Sequence, residues 1–453
     1  PTVSLWPYVW THRTRDRNPD IEKSNREADM LNRFTRIVCG SAGLVLLLVP
    51  PARAQETCCR SEGLEVADLY RVEGLDERRF THAEYWGSLA AALSSERIQV
   101  TRLGESVEGR AINAVTAGSG PTTVLLWSQM HGDESAATMS LADIIHWFAS
   151  APESDSLRAS LAERLTIVMV PMLNPDGAER FIRENAIGVD INRDARRTAT
   201  PEGRILKSVR DSLQADFGFN LHDQGIHTAG EDGPLVAIAL LAPAADEERS
   251  WGPVRQRARG VAAAIATALE PDLADRMARY DDAYAPRAFG DNMQAWGTST
   301  VLIESGILPN DRQKQELRRL NIVALLSAFE TIASERYADE ATAAYDSLPM
   351  NRSVDYSILV QGGDLVLEGA GPIRADIAID FDDSAAGTGP RYGEIGDLEG
   401  VVALDTVHAR GLFIHAGPGE EGLIRRGAPV AITARRGPDP ESQKVWALGT
   451  DAP

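Results

Sequence analysis

The stretch Thr122-Thr123-Val124-Leu125-Leu126-Trp127-Ser128-Gln129-Met130 runs straight into His131-Gly132-Asp133-Glu134. Its apolar residues are consecutive rather than alternating, as in a strand covered on both faces by helices. Ala136–Ala149 then reads as a helix, so the His-x-x-Glu element sits where a strand turns into a helix. A chain that turns between a histidine and a glutamate can aim both at one ion, and a nitrogen with a carboxylate oxygen suits Zn2+. Two ligands do not complete a catalytic zinc site, which takes three protein ligands and an open position. His222, in Phe219-Asn220-Leu221-His222-Asp223, also closes an apolar strand and is the candidate third ligand. Ligands at the C-terminal ends of strands fall where open α/β sheets carry their sites.

Outward from this stretch, short β-rich runs alternate with longer helical ones from about residue 65 to 335. The expected strands are Thr122–Met130, Leu165–Met172, Phe217–Leu221, Leu235–Leu241 and Thr298–Ile303. The expected helices are Ala136–Ala149, Val254–Leu269 and Asp311–Ala333. The last places Ile322, Leu325, Leu326, Phe329 and Ile332 on one face. This alternation predicts an α/β fold, a parallel or mixed sheet flanked by helices. From about 345 to 450 short runs (Ser357–Val360, Asp364–Leu367, Ala375–Phe381, Val401–Leu404, Leu412–His415 and Pro429–Thr433) lie between Gly- and Asp-rich turns. That pattern predicts a small all-β domain, with the boundary between Tyr337 and Pro349. It holds no cluster of ligating residues and is assigned no chemistry.

Composition bounds the rest. A chain of 453 residues accommodates two or three domains. With 43% apolar and 25% charged residues it is globular, not disordered or fibrous. The net charge of −20 opposes binding to nucleic acid or anionic membranes in the absence of a basic patch, and no long Lys/Arg run supplies one. Three cysteines make no disulfide framework. Cys58 and Cys59 are neighbours, a strained arrangement for a bridge.

Residues 1–54 are expected to lie outside the fold. After Met30 come Arg33 and Arg36, the apolar run Ile37–Val49, and Ala52-Arg53-Ala54. A basic start, a short apolar middle and an A-x-A end are the parts of a secretory leader. The run is short for a membrane span of about 20 residues. Met30 reads as the true start, and cleavage after Ala54 would leave a secreted or periplasmic protein with no stable membrane insertion. The expected organisation is thus 1–54 leader and upstream segment, 55–340 α/β domain, 341–453 β domain.

Further motifs follow His131 and Glu134 in order: Asn174-Pro175-Asp176-Gly177, Arg183, Asp190-Ile191-Asn192-Arg193, His222, and Glu304 in Ile303-Glu304-Ser305-Gly306. In type, order and spacing the set resembles the zinc carboxypeptidase family (carboxypeptidase A-like and D-like enzymes) over roughly Glu65 to Ser334. The resemblance implies one Zn2+ per chain, held by His131, Glu134 and His222. It implies Glu304 as the general base, Arg183 facing the oxyanion, and Asn192 and Arg193 gripping the terminal carboxylate of a peptide substrate. Asp190 would orient His131 through its other ring nitrogen. The chemistry needs these types: zinc acidifies bound water, a carboxylate moves its proton, and the planar arginine fork meets a carboxylate bidentately.

Some assignments stay open. Arg180 rivals Arg183, but the distance from Arg183 to the Asp190–Arg193 motif is similar to that in the carboxypeptidase D-like branch of the family, and the resemblance therefore favours Arg183. The resemblance also implies a tyrosine that closes over the substrate, and Tyr280 and Tyr284 both qualify, with Tyr284 preferred. Asp291 is either an acidic pocket residue or a loop acid. His82, His146, His227, His408 and His415 read as structural or surface residues. A zinc amidase or deacylase acting on cell-wall peptides or N-acyl amino acids is the alternative activity.

Overall fold

A computed structural model describes residues 52–338, 342–367, 371–381, 390–416 and 424–449. The leader-like run up to Val49 therefore lies outside the described residues. Among those described, no helix is long and apolar enough to cross a membrane.

Up to residue 338, the described part of the first unit has nine strands and nine α-helices. The strands are β1 (Ile98–Glu105), β2 (Ala111–Ala117), β3 (Thr122–Ser128), β4 (Leu165–Val170), β5 (Phe217–Asp223), β6 (His227–Ala229), β7 (Ile238–Leu241), β8 (Met277–Arg279) and β9 (Ser299–Ser305). The helices are α1 (Ala52–Leu69), α2 (His82–Ser88), α3 (Ala136–Ser150), α4 (Ser156–Arg164), α5 (Pro175–Arg180), α6 (Pro201–Leu213), α7 (Pro253–Leu273), α8 (Phe289–Ala295) and α9 (Gln315–Ala333). Eight strands form one mixed sheet in the order β1-β2-β4-β3-β5-β9-β7-β8. Its centre, β4-β3-β5-β9, is parallel. From β3 the chain goes first to β4 on one side and then to β5 on the other, which makes the C-terminal ends of β3 and β5 a topological switch point.

The consecutive apolar residues of β3 serve two cores. Val124 and Leu126 pack with α3, α7 and α9. Leu125 and Trp127 face the opposite side, against Leu206 of α6 and Phe289 and Met293 of α8. All four are 0% exposed, and each such side chain stabilises the fold by about 1.5–3 kcal/mol. The mixed sheet with helices on both faces is the expected architecture.

Three local readings change. The edge hairpin β1–β2 was not foreseen, because β1 is mostly exposed and lacks an apolar pattern. The last helix starts at Gln315, not Asp311: Asp311 accepts the backbone N–H groups of Gln315 and Leu317, and Lys314 is left-handed at φ 52°. The first unit also continues past residue 340. A short helix, α10 (Ala343–Asp346), buries Tyr345 in the main core, and its hydroxyl accepts the Ala242 N–H at 3.1 Å. Strand β10 (Asn351–Ser353) then pairs with β6.

The C-terminal region is a separate seven-stranded sheet, all β as expected. Its strands are β11 (Tyr356–Val366), β12 (Ile373–Phe381), β13 (Pro390–Gly396), β14 (Ala403–His408), β15 (Phe413–Ala416), β16 (Ala431–Arg435) and β17 (Lys444–Gly449). Ile358, Val360, Ile377, Ile414 and Ile432 are the centre of its own core.

Candidate metal centre

Strand β3 stops at Ser128 because Gln129 turns left-handed at φ 50°. The Gln129 side-chain amide donates to the Gly132 carbonyl at 2.9 Å, closing the turn that carries His131. A Cβ on Gly132 would stand 2.0 Å from the Gly177 carbonyl carbon, so glycine is required there. The Asn174–Gly177 segment supports this turn from below. Asn174 donates its backbone N–H to Gln129 and its side-chain amide to Met130, at 3.0 and 3.2 Å. Asp176 is fully buried and accepts from the Ser106 hydroxyl, the Glu108 N–H and Arg110, at 2.7, 3.0 and 2.6 Å. This anchoring turn, Ser106–Arg110, escaped the sequence reading; Gly109 between two short strands was its only signal.

His131, Glu134 and His222 converge. The two Nδ1 atoms stand 3.1 Å apart. Glu134 Oε1 lies 2.8 Å from His131 Nδ1, and Oε2 lies 2.6 Å from His222 Nδ1. One potential ligand atom from each falls within 4.8 Å of the others. The donor set fits zinc: two imidazole nitrogens and a carboxylate face one point, and a tetrahedral zinc with bonds of about 2.1 Å has edges of about 3.4 Å. The second nitrogen of His131 meets Asp190 Oδ1 at 3.0 Å, a bond that fixes ring orientation.

Electrostatics in the cluster are one-sided. Burial opposes a proton on His131, but Glu134 and Asp190 outweigh it and hold the ring up at about 9. Burial pushes Glu134 upward, yet the two imidazoles keep its carboxyl far below the usual range. Burial also opposes the Asp190 charge, and His131 and Arg183 overcome it. Burial drives His222 down against the pull of Glu134. The raised His131 value lies above about 6.5, the free value, so its proton stabilises the metal-free fold fully below that pH. That contribution is lost as pH rises through about 9. Zinc binds the deprotonated ring, so apparent zinc affinity should rise by up to about tenfold per pH unit toward pH 9. Chelator competition across that range measures this, and a flat profile would contradict it.

Around the cluster, Arg183 donates to Asp190 Oδ2 through Nη2 at 2.9 Å and to Glu134 Oε1 through Nη1 at 3.3 Å. Arg180 points elsewhere, to Glu108 and the Asp176 carbonyl. Asn192 accepts the Phe289 N–H at 2.9 Å, and its amide NH2 makes no hydrogen bond among the described residues. Arg193 is exposed and, among the described residues, its one hydrogen bond is to the Asn192 carbonyl at 2.9 Å. Glu304 stands opposite His222 in the β5–β9 ladder, 9% exposed, and its carboxylate makes no hydrogen bond among the described residues. Burial, then the Glu134 charge, pushes Glu304 well up. Behind these strands, Lys314 donates to the Ser305 carbonyl at 2.9 Å and pairs with Asp223 at 3.2 Å, a contact between distant positions that no motif announces.

Of the two tyrosines, Tyr280 shares surroundings with the cluster. Burial, Glu304 and Glu134 push its hydroxyl up to about 12, with Arg193 and Arg183 opposing. Tyr284 makes no hydrogen bond among the described residues. Asp291 is buried, accepts the Ala285 N–H at 2.8 Å, and is raised to about 6 by burial.

The zinc carboxypeptidase family model matches residues 84–214. This part of the chain is similar to zinc carboxypeptidases. The match takes in His131 through Arg193, and the sheet brings His222 and Glu304 to the same place. An uncharacterised protein of Zymomonas mobilis is 29% identical over 124 residues, 26% of this chain and 32% of that relative. Carboxypeptidase SOL1 of Arabidopsis thaliana is 35% identical over 65 residues, 14% of this chain and 13% of that relative. The chain thus spans about a third or less of these curated relatives. The crystal structure of a metallo-carboxypeptidase from Burkholderia cenocepacia is 20% identical, with a TM-score of 0.45 over 57% of this chain and 70% of that one.

Proposed function

We propose that this zinc carboxypeptidase domain removes C-terminal residues from peptides by zinc-dependent hydrolysis. The observation that carries the reading is one ladder rung: His222, facing His131 and Glu134, stands directly opposite the unbonded carboxylate of Glu304. His131, Glu134 and His222 would hold one zinc ion, which supplies an acidified water and a polarised scissile carbonyl. Glu304 takes the proton of the attacking water and delivers it to the leaving amine. Arg183 turns a guanidinium N–H toward the charge that develops on the carbonyl oxygen. Asn192 and Arg193 offer side-chain N–H groups to the terminal carboxylate, and a tyrosine, Tyr280 or Tyr284, covers the substrate. Asp190 keeps the His131 ring in place.

The leader-like segment Met30–Ala54 supports a secreted or periplasmic location for the mature protein, where peptides with free C-termini are the substrates.

Arg193 gives the decisive test. Paired peptides with free and amidated C-termini should differ by about 10^2-fold or more in kcat/KM, since a charge-assisted carboxylate contact of about 3 kcal/mol is lost on amidation. Equal cleavage of the two would overturn the carboxypeptidase reading in favour of a zinc amidase or deacylase.

A further inference from the structure

The chain beyond the first sheet returns to the candidate site. Strand β10 pairs antiparallel with β6, Asn351 opposite Ala229, Arg352 opposite Thr228 and Ser353 opposite His227. The Gly230 N–H donates to the Met350 carbonyl at 2.8 Å, and the Val354 N–H to the Ile226 carbonyl at 3.0 Å. On its other flank, the Arg279 N–H donates to the Pro349 carbonyl at 2.8 Å, and Arg279 bridges to Met350. The Asn351 amide donates to Gln224 Oε1 at 2.6 Å and accepts from Gln224 Nε2 at 3.5 Å. The segment thus touches three chain positions at once.

Each of the three leads to the site. Gln224 is two residues beyond His222, and its N–H donates at 3.0 Å to the carbonyl of Ser305, the neighbour of Glu304. His227 sits on β6, with its ring 6.4 Å from that of Tyr280. Arg279 immediately precedes Tyr280, which lies within the electrostatic reach of Glu304, Glu134, Arg193 and Arg183. The apolar burial at β10 is slight: Arg352 and Ser353 are exposed. The contacts are mainly directional hydrogen bonds, which fix position more than they drive folding.

The same segment is gripped from the far side. Val354 bonds to Ile226 of the first unit, and the next residue, Asp355, bonds to Val402 of the second through its N–H at 2.9 Å and its carboxylate at 3.0 Å. Successive residues therefore belong to different units, and no slack chain separates them.

We propose that Pro349–Val354 is a positioning strap, anchored by the C-terminal β-sheet, that sets the substrate-facing rim formed by His227 and Tyr280. Asn351 is its central positioning residue, acting through Gln224. Among the described residues the strap makes no hydrogen bond to the metal ligands, so it governs substrate binding and leaves metal loading alone. This inference rests on the peptidase reading for its kinetic arm and stands apart from it for its structural arm.

The test uses the full chain carrying Asn351→Ala, with Asn351→Asp as the conservative variant that still offers Gln224 an acceptor. The expected result is a KM about tenfold higher, with kcat within about twofold, and unchanged zinc content. Asn351→Asp should recover part of the KM. Independently of activity, amide hydrogen exchange should quicken in residues 226–230 and 279–281 and stay unchanged in β3, β5 and β9. Unchanged KM and unchanged exchange in an active enzyme would overturn the strap and leave the peptidase reading standing. A joint loss of kcat, zinc and melting temperature would overturn it in favour of a general structural role. Should the wild type cleave no peptide, the peptidase reading fails, and the exchange pattern alone decides for or against the strap.

Discussion

Glu304→Gln should retain one zinc per chain and lose about 10^2–10^4-fold in kcat on a peptide with a free C-terminus. Gln matches Glu in shape, and Glu304 makes no hydrogen bond among the described residues, so the exchange breaks no structural contact. The His131–Glu134–His222 cluster keeps all of its own contacts. What disappears is the ability to take a proton from water and hand it on. The buried setting matters here: a carboxylate 9% exposed, with a second acid close by, is costly to maintain and is placed there for a chemical reason. Metal analysis and kcat measured on one preparation decide the point. Undiminished turnover would remove Glu304 from the mechanism, and loss of zinc would make it a structural support instead.

The largest effect on stability is expected far from the site, at Asp143→Ala. Asp143 on α3 and Arg318 on α9 are each 1% exposed and meet through two bonds of 2.6 and 2.7 Å. Asp143 also accepts the Val72 N–H at 2.7 Å, while Arg318 donates to the carbonyls of Leu75 and Val72 at 2.6 and 3.0 Å. The pair therefore pins the chain after α1 to two core helices. Removing the carboxylate strands a buried guanidinium and should cost about 3–5 kcal/mol. For a unit of this size the melting temperature should fall by on the order of 10 °C. The double variant Asp143→Leu/Arg318→Met, with no charge left to bury, should recover much of that loss. Calorimetry on the three proteins tests both statements. A single variant within about 1 kcal/mol of wild type would show that water reaches the pair.

The parts of the fold legible in the sequence are those where one physical demand dominates. Strands β3, β5 and β9 are buried on both faces, so their apolar runs stand out, and the ligating residues follow directly at their ends. Where demands mix, the signal fades. β1 is exposed along most of its length and reads like a loop. The start of α9 is set by Asp311 capping two backbone amides and by a left-handed Lys314, a choice that helix periodicity does not encode. The site divides in the same way. His131 and Glu134 share one short motif, and Arg183 lies just ahead of the motif that carries Asp190. The pairings of Lys314 with Asp223 and of Asn351 with Gln224 join distant positions through one or two contacts each. Tyr280 and Tyr284 look alike in sequence, and only the fold distinguishes their surroundings.

His222 and Glu304 occupy one rung of the β5–β9 ladder, so their separation is set by backbone hydrogen bonding, which every sequence shares. The loops above that rung can lengthen, shorten or change composition without moving either group. Variation in such loops would alter which molecules are admitted while the reacting groups keep their spacing, so a lineage can diversify its diet without relearning its chemistry.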